Sequence, residues 1–276
     1  MSLPWAHPLF RAVSGGEWHP GGAAATERLW RACRAALTDG PGHGTDDARD
    51  AARPLRVLDA GCGEGAAALR LAAEGERVVA LDRTPRSGWR HPPSPAAGAV
   101  RPLFCAADIR HIPLRDGWAD VVLCQCVASL LPRPESFLTE AVRVLRPGGV
   151  LGFSDLVRRD EAESRPADRD TASIAPGSGR PSADTSVVSL SGGCAAGARR
   201  REEWEGLLRT AGLRLLSFSD ESRELARLTA RLVWYGDGES LRQLGLDGAA
   251  DCRSVCRKGS RPGYGVWVAV NARQTI

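Results

Sequence analysis

The segment RVLDAGCGEGAAALRLAAEG, residues 56–75, constrains the fold more than any other part of the chain. A short apolar run ends at Asp59, a cluster of glycines follows, and a run of strong helix formers continues to Gly75. Glycines at a strand-to-helix turn let the backbone approach a ligand closely, and the helix N-terminus offers free N–H groups. The segment therefore predicts a strand, a ligand-binding turn and a helix.

Further apolar strands alternate with helices along the chain. Helical spacing covers residues 23–37 and 133–146, and two later helices carry Trp204 to Ala211 and Leu225 to Val233. The other strand candidates are VVALD, LFCAAD, ADVVLCQCV, VLGFSDL, LRLLSF and GYGVWVAVN. Continuously apolar strands that alternate with helices predict a parallel sheet covered on both faces. The proline-rich residues 83–102 predict a loop where a full helix would otherwise stand.

The glycine turn has two possible ligands. Gly61, Gly63 and Ala66 satisfy a permissive dinucleotide fingerprint, and Asp82 lies about 20 residues further on, where a ribose-binding acid is expected. Asp59 distinguishes a dinucleotide from S-adenosylmethionine as the ligand. A carboxylate at this position suits the cationic methionine end of S-adenosylmethionine, whereas it forms no favourable contact with the pyrophosphate of a dinucleotide. Asp108, after the third strand, is placed to accept a hydrogen bond from an adenine amino group. A tight turn without any ligand is the third interpretation.

At these residues the chain resembles the class I S-adenosylmethionine-dependent methyltransferases, of the type 11 kind. VLDAGCGEG resembles their glycine motif, VVALD their ribose-binding strand end, and ADIRHIPL their adenine-contacting loop. WADVVLCQCVASLL resembles their fourth strand and VLRPGGVLGFSDL their fifth. The likeness covers roughly residues 55–156, and it depends on the order of all the motifs together.

The resemblance implies an α/β, Rossmann-like fold with a seven-stranded, mostly parallel sheet, its last strand antiparallel and helices on both faces. It implies that Asp59 and Gly61 bind the methionine part of S-adenosyl-L-methionine, Asp82 the ribose, and Asp108 with Ile109 the adenine. The remaining predicted cofactor residues are Cys62, Gly63, Arg83 and Cys124. Asp120, which starts the fourth strand, is predicted to be structural.

A finer resemblance is to an uncharacterised bacterial methyltransferase subfamily often encoded beside radical S-adenosylmethionine proteins. It depends on the segments HPGG at residues 19–22, SLSGGCAAGA around Cys194, FSDESRELARLTARLV, and RPGYGVWVAV. It implies a radical S-adenosylmethionine protein as a possible partner. Two segments depart from this pattern: the long polar insertion at residues 160–190 and the loop at residues 83–102.

Four regions are predicted. Residues 1–50 form a helical lid, 51–157 the cofactor-binding core, and 158–195 a flexible polar insertion; residues 196–276 complete the sheet and carry an inserted helical segment. The insertion is polar and rich in Pro and Ser, with too little apolar surface to offset its ordering entropy.

Substrate contacts are expected at the carboxyl ends of the strands and in covering segments. The substrate candidates are Trp18, His19, Gln125, Cys126, Ser129, Asp155 and Cys194. Cys124 and Cys126 lie two apart on a strand, so the alternation predicts that they face the same side. Two interpretations of the cysteines stand side by side: inert core thiols, or a soft acceptor such as a metalloid held by Cys126 and Cys194, a layout that resembles the arsenite methyltransferases.

Composition excludes several classes. The net charge is +4, the arginines are scattered and Lys258 is the only lysine, so no nucleic-acid partner is predicted. No apolar run approaches the roughly 20 residues that cross a bilayer, and no signal peptide is evident, which predicts a cytoplasmic protein without a membrane partner. The eight cysteines are predicted to be reduced thiols, and no pair has the C-x-x-C spacing of a zinc knuckle. Cys252 and Cys256, four apart in a polar stretch, are open to three interpretations: surface thiols, a soft-metal site or neither.

The sequence therefore predicts a methyltransferase acting on a small or partner-bound acceptor. No catalytic base is assigned, because the sulfonium methyl group is already activated. An NAD-dependent oxidoreductase is the runner-up, although no Ser–Tyr–Lys group is evident. A methyltransferase-like binding module without activity is the third interpretation, and the intact acid set argues against it.

Overall fold

The computed structural model describes residues 7–14, 16–38, 53–90, 100–159, 197–244 and 262–273. The helices are α1 (Pro8–Ser14), α2 (Gly22–Thr38), α3 (Ala66–Ala73), α4 (Ser87–Arg90), α5 (Pro134–Val144), α6 (Arg201–Thr210), α7 (Ser222–Tyr235) and α8 (Gly238–Gln243). The strands are β1 (Arg56–Ala60), β2 (Arg77–Asp82), β3 (Leu103–Ala106), β4 (Ala119–Gln125), β5 (Leu145–Arg158), β6 (Leu213–Asp220) and β7 (Pro262–Asn271). Every strand expected from the sequence is present, with its ends shifted by a few residues.

The strands form one sheet in the order β3-β2-β1-β4-β5-β7-β6. Parallel pairing joins β1 to β2 and β4, and continues outward to β3 and β5. The last strand in the chain, β7, inserts antiparallel between β5 and β6. The predicted seven-stranded, mostly parallel sheet is confirmed, and the reversal at β7 distinguishes it from the six parallel strands of dinucleotide-binding domains.

Helices cover both faces of the sheet. On one face, Leu29 and Cys33 of α2 pack with Leu71 of α3 against the strands. On the other, Phe137 of α5 and Trp204 of α6 lie in the main core. The apolar spacing of the sequence predicted these helix faces, since residues three and four apart lie on one side of a helix.

Three short helices were not predicted individually. The expected loop at 83–102 contains one helical turn, α4, and residues 91–99 lie outside the described residues. Helix α1 packs on α7, where Val13 contacts the cluster formed by Leu228, Leu232 and Leu244. The third, α8, follows α7 after a short connection.

Asp120 anchors the start of β4. Its buried carboxylate accepts hydrogen bonds from Arg53 at 2.9 and 3.0 Å, from the Arg56 backbone at 2.8 Å and from Arg146 at 2.8 Å. Burial opposes ionisation, but these donors outweigh it and hold the pKa of Asp120 well below its usual range. The predicted structural role of Asp120 agrees with this geometry.

In the part of the chain that is described, no helix has the length and apolar character needed to span a bilayer. The division into four regions stays a prediction, and residues 160–195 of the proposed insertion lie outside the described residues.

Candidate functional site

The turn between β1 and α3 requires glycine. Gly61 has a φ of +82° and Gly65 a φ of +87°, a region that other residues rarely adopt. A Cβ on Gly61 would lie 2.4 Å from Val127 Cγ2, closer than any non-bonded contact allows. The turn is pinned from the other side, because the Gly61 and Cys62 N–H groups donate to the Leu81 carbonyl at 2.7 and 2.8 Å. The backbone therefore lies open to a cavity at the N-terminus of α3.

Asp59, just before this turn, is a buried carboxylate with an unused oxygen. It lines the cavity, and its Oδ2 is buried without a hydrogen-bond partner among the described residues. Burial raises the pKa of Asp59 to about 7, and the nearby carboxylates Glu17 and Asp82 add to the effect. An isolated buried carboxylate is costly, so this site favours a ligand that brings a cation or several N–H donors.

Asp82 ends β2 and faces the same cavity. Its two oxygens accept hydrogen bonds from the Gly63 and Thr84 N–H groups, each at 3.0 Å. Those bonds fix the carboxylate, and each oxygen retains the capacity to accept a second hydrogen bond. Such a fixed pair of acceptors suits the two hydroxyls of a ribose. Arg83 lines the cavity beside it, and Arg86 Nη2 lies 3.9 Å from Asp82 Oδ1.

Asp108 and Ile109 follow β3 and also line the cavity. The Asp108 carboxylate accepts from Arg110 Nη2 at 2.6 Å and from the Arg110 backbone at 2.9 Å. The side-chain bond is the main cause that lowers the pKa of Asp108 to about 2. Asp108 therefore presents a charged acceptor beside the buried Ile109, which suits the amino group and the flat face of adenine.

The cavity has a volume of about 300 Å³. The predicted residues that line it lie at the carboxyl ends of β1, β2 and β4, in the segments that follow β1 to β4, and in the loop before α2. They are Asp59, Gly61, Cys62, Gly63, Asp82, Arg83, Asp108, Ile109, Gln125, Cys126, Trp18 and His19. The ring of Trp18 lies over the glycine turn, 3.1 Å from where a Gly63 Cβ would stand, and Arg86 stacks on it at 4.8 Å.

The predicted cofactor residue Cys124 is not among the residues that line the cavity, whereas Cys126 is. The side chain of Cys124 is fully buried in the main core. The two do not share a face, because β4 ends at Gln125 and Cys126 has a φ of +57°. Strand alternation holds only while the backbone stays extended, and a left-handed residue redirects the side chain.

Ser129 and Asp155 are likewise not among the residues that line the cavity. Both are buried, and the Ser129 N–H donates to Asp155 Oδ2 at 2.9 Å. Burial raises the pKa of Asp155 to about 6. Both were predicted as substrate contacts; instead, Asp155 holds the short 3-10 helix Ala128–Leu130 in place, and that helix presents Leu130 to the cavity. Cys194 lies outside the described residues.

A buried polar network behind His19 was not predicted. Arg70 Nη2 donates to Glu17 Oε1 at 3.1 Å, and Glu17 Oε2 lies 3.5 Å from His19 Nε2. The Thr26 hydroxyl lies 3.1 Å from the same nitrogen and 3.3 Å from Gln125 Oε1. The members of this network lie in a loop, two helices and a strand, so no spacing in the sequence reveals them. The one signal in the sequence is that Glu17 directly precedes the predicted residues Trp18 and His19.

Tyr264 is a neighbour of Cys126 that was not predicted. It is buried and forms a hydrogen bond with Cys126, and its hydroxyl donates to Ser154 Oγ at 2.8 Å. Burial raises the pKa of Tyr264 well above its usual value. Strands β4, β5 and β7 are neighbours in the sheet, which is why residues so distant in sequence meet here.

Comparisons with known proteins agree with this geometry. Residues 58–153 match the family model described as a methyltransferase domain. An uncharacterized methyltransferase of Mycobacterium avium is 33% identical over 132 residues, which is 48% of this chain and 46% of that protein. An arsenite methyltransferase of Halobacterium salinarum is 29% identical over 179 residues, 61% of this chain and 40% of that protein. The chain thus spans less than half the length of these two curated relatives.

Solved structures with the same fold cover nearly the whole chain. A putative sarcosine dimethylglycine methyltransferase from Galdieria sulphuraria superposes with a TM-score of 0.64 at 17% identity, covering 96% of this chain and 97% of that one. The cyclase SpnF superposes with a TM-score of 0.66 at 20% identity, covering 98% and 94%. The fold is therefore the Rossmann-like class I methyltransferase fold, and residues 58–153 within it match the methyltransferase domain model.

Proposed function

We propose that this protein transfers the methyl group of S-adenosylmethionine to an acceptor bound beside Gln125 and Cys126. The observation that carries the proposal is the convergence of Asp59, Asp82 and Asp108 on one cavity around the glycine turn. The unpartnered, buried Oδ2 of Asp59 fits the ammonium group of the cofactor's methionine end, where a pyrophosphate would be repelled.

When bound, the cofactor supplies a methyl group on a sulfonium, which needs no further activation. The protein's residues then have two tasks: holding the cofactor and keeping water away from the acceptor. Asp59, Asp82 and Asp108 with Ile109 would hold the methionine, ribose and adenine parts, respectively. Trp18, which lies over Gly63, would cover the cofactor from the solvent side.

The two alternatives from the sequence fit less well. An NAD-dependent oxidoreductase is disfavoured by the antiparallel β7 and by the Asp59 carboxylate at the glycine turn. An inactive module would have no use for three acids converging on one cavity. Fold alone does not decide activity, since a cyclase shares it.

A soft acceptor held by thiols is the second candidate. Of the two cysteines predicted to hold it, Cys126 lines the cavity and Cys194 lies outside the described residues. The sequence likeness to an arsenite methyltransferase motivates a test of this second candidate. A Cys126→Ser, Cys194→Ser double variant that keeps full activity on the identified acceptor would refute it.

The finer expectations stay proposals. They are membership of the bacterial subfamily encoded beside radical S-adenosylmethionine proteins, such a protein as partner, a partner-bound acceptor, a cytoplasmic location, and the lack of nucleic-acid and membrane partners. A pull-down from the source organism with the tagged chain, followed by mass spectrometry, tests the partner directly.

Calorimetric titration with S-adenosylmethionine, S-adenosylhomocysteine and NAD tests the proposal first. We expect both S-adenosyl compounds to bind, NAD not to bind, and Asp82→Ala to weaken binding at least tenfold, since two charge-assisted hydrogen bonds to the ribose are lost. Glu135→Ala is the matched control, because Glu135 is an exposed acid of α5 that does not line the cavity. Binding of NAD alone would select the oxidoreductase. Binding without S-adenosylhomocysteine production from any acceptor tested would favour the inactive module.

A further inference from the structure

We propose that the methyl acceptor is an uncharged, largely apolar molecule whose polar group is held by the side-chain amide of Gln125. This inference rests on the proposed function, since it assigns the part of the cavity that the cofactor residues do not use. Three features of the described residues support it: the chemistry of the walls, the placement of charge, and a hydrogen-bond network that orients the amide.

The cavity walls change character across the sheet. The acids belong to β1, β2 and the segment after β3, on one side of the sheet order. Besides Gln125 and Cys126, the cavity is lined by large apolar side chains from α1, the 3-10 helix with the residue after it, β5 and α7: Phe10, Leu130, Leu131, Leu156, Leu225 and Leu228. Apolar walls from four separate elements favour an acceptor that buries apolar surface.

The charged side chains that line the cavity disfavour an anionic acceptor. Among the described lining residues, the arginines are Arg83 and Arg86, and both follow β2 on the cofactor side. His19 is engaged by Glu17 and Thr26. An anion beside the leucines would lack a free cation and would face the carboxylates of Asp59 and Glu17, which makes its desolvation unfavourable.

Thr26 orients the Gln125 amide. Its hydroxyl donates its single hydrogen to Gln125 Oε1 at 3.3 Å. The same hydroxyl oxygen lies 3.1 Å from His19 Nε2, and His19 Nδ1 lies 3.1 Å from the Pro20 carbonyl. Thr26 is therefore held between His19 and Gln125.

This network leaves the Gln125 amide nitrogen for the acceptor. Gln125 lines the cavity, its carbonyl oxygen is taken by Thr26, and its NH₂ group has no hydrogen-bond partner among the described residues. An NH₂ group only donates, so it recognises a carbonyl, ether or hydroxyl oxygen. Gln125 is thereby a specificity-determining residue, and Thr26 and His19 are positioning residues that act through it.

The test uses three probes of nearly equal shape on the full chain saturated with S-adenosylhomocysteine. Acetophenone is neutral with one acceptor oxygen, α-methylstyrene replaces that oxygen by a methylene, and benzoate carries a charge. Ligand-observed NMR titrations measure their dissociation constants. We expect acetophenone to bind about fivefold more tightly than α-methylstyrene, the effect of one hydrogen bond, and benzoate to bind more weakly than either.

Variants connect the preference to Gln125. Gln125→Leu is expected to bring the ratio of the two neutral probes to about one, and Thr26→Val to reduce it, because the amide loses its orienting partner. Thr26→Val also serves if Gln125→Leu does not fold. The matched control is Gln243→Leu, at a glutamine of α8 outside the cavity, which is expected to keep the fivefold preference.

The two levels of the proposal fail in different ways. If S-adenosylhomocysteine itself does not bind, the proposed function fails. If it binds but the wild-type protein prefers benzoate, does not distinguish the neutral probes, or binds neither of them, the proposal of an uncharged acceptor held by Gln125 is wrong. An unchanged preference in Gln125→Leu overturns the assignment to that residue.

Discussion

Asp59 makes cofactor binding depend on pH in a window set by its raised pKa. Without ligand the pKa of Asp59 is about 7, because the carboxyl is buried and lies near two other carboxylates. The cofactor's ammonium group favours the ionised form, so the ligand binds best once the proton has left. With a pKa of about 7, the ionised fraction rises from about 3% at pH 5.5 to about 50% at pH 7.0.

The affinity for S-adenosylhomocysteine is therefore expected to rise about fifteenfold between pH 5.5 and pH 7.0. Over this window an α-amino group of ordinary pKa stays mostly protonated, so the titration of Asp59 dominates the change in affinity. Calorimetry at pH 7.0 in phosphate and in Tris, which differ in ionisation enthalpy, should show the release of about half a proton per ligand bound. A dissociation constant that does not change over this window would refute the assignment of Asp59 to the ammonium group.

The same carboxyl affects stability with a definite sign. Its folded pKa lies above the unfolded value, so the unfolded chain ionises first as pH rises, and the fold loses stability between about pH 4 and pH 7. Asp59→Asn removes this penalty and is expected to stabilise the ligand-free protein at pH 8, by at most about 4 kcal/mol. The variant should bind S-adenosylhomocysteine weakly and without the pH dependence. A thermal melt with lower stability than wild type would contradict the reasoning.

Three further substitutions, with Gly206→Ala as a control for the first, test the stability of the fold. Gly61→Ala should lower the free energy of unfolding in urea by about 2–4 kcal/mol, because the new Cβ meets Val127 at a positive φ; Gly206→Ala, a helical glycine with nothing within 4 Å, should raise it by up to about 1 kcal/mol. Asp120→Asn should cost about 3 kcal/mol at pH 7 and less at pH 3, because in the wild type the unfolded carboxyl binds a proton there while the folded one stays ionised, which reduces the stabilisation; melting curves at pH 7 and pH 3 compare the two proteins. Cys124→Ser should destabilise by about 1–3 kcal/mol through a buried hydroxyl and leave S-adenosylhomocysteine affinity unchanged, whereas a loss of affinity in a folded variant would restore Cys124 to the cofactor site.

The sequence by itself determined the sheet and the cofactor side of the cavity. Asp59, Asp82 and Asp108 end or follow successive apolar strands, and the carboxyl ends of neighbouring parallel strands meet at one edge. Their convergence therefore follows from strand order alone. The glycine turn and the amphipathic faces of α2 and α5 are local features, fixed by spacing and by backbone conformation.

Only the tertiary structure decided the acceptor side. A single left-handed residue, Cys126, separates its thiol from that of Cys124, and no residue pattern reveals that change of backbone direction. Asp155 is a hydrogen-bond acceptor for a buried turn and not a cavity residue, because neighbouring elements close over it. Thr26 of α2 reaches Gln125 of β4 across about 100 residues of chain, because α2 packs on the sheet. Contacts of this kind depend on how separate elements pack. The periodicity of one element predicts its buried face but not which residues of another element that face contacts.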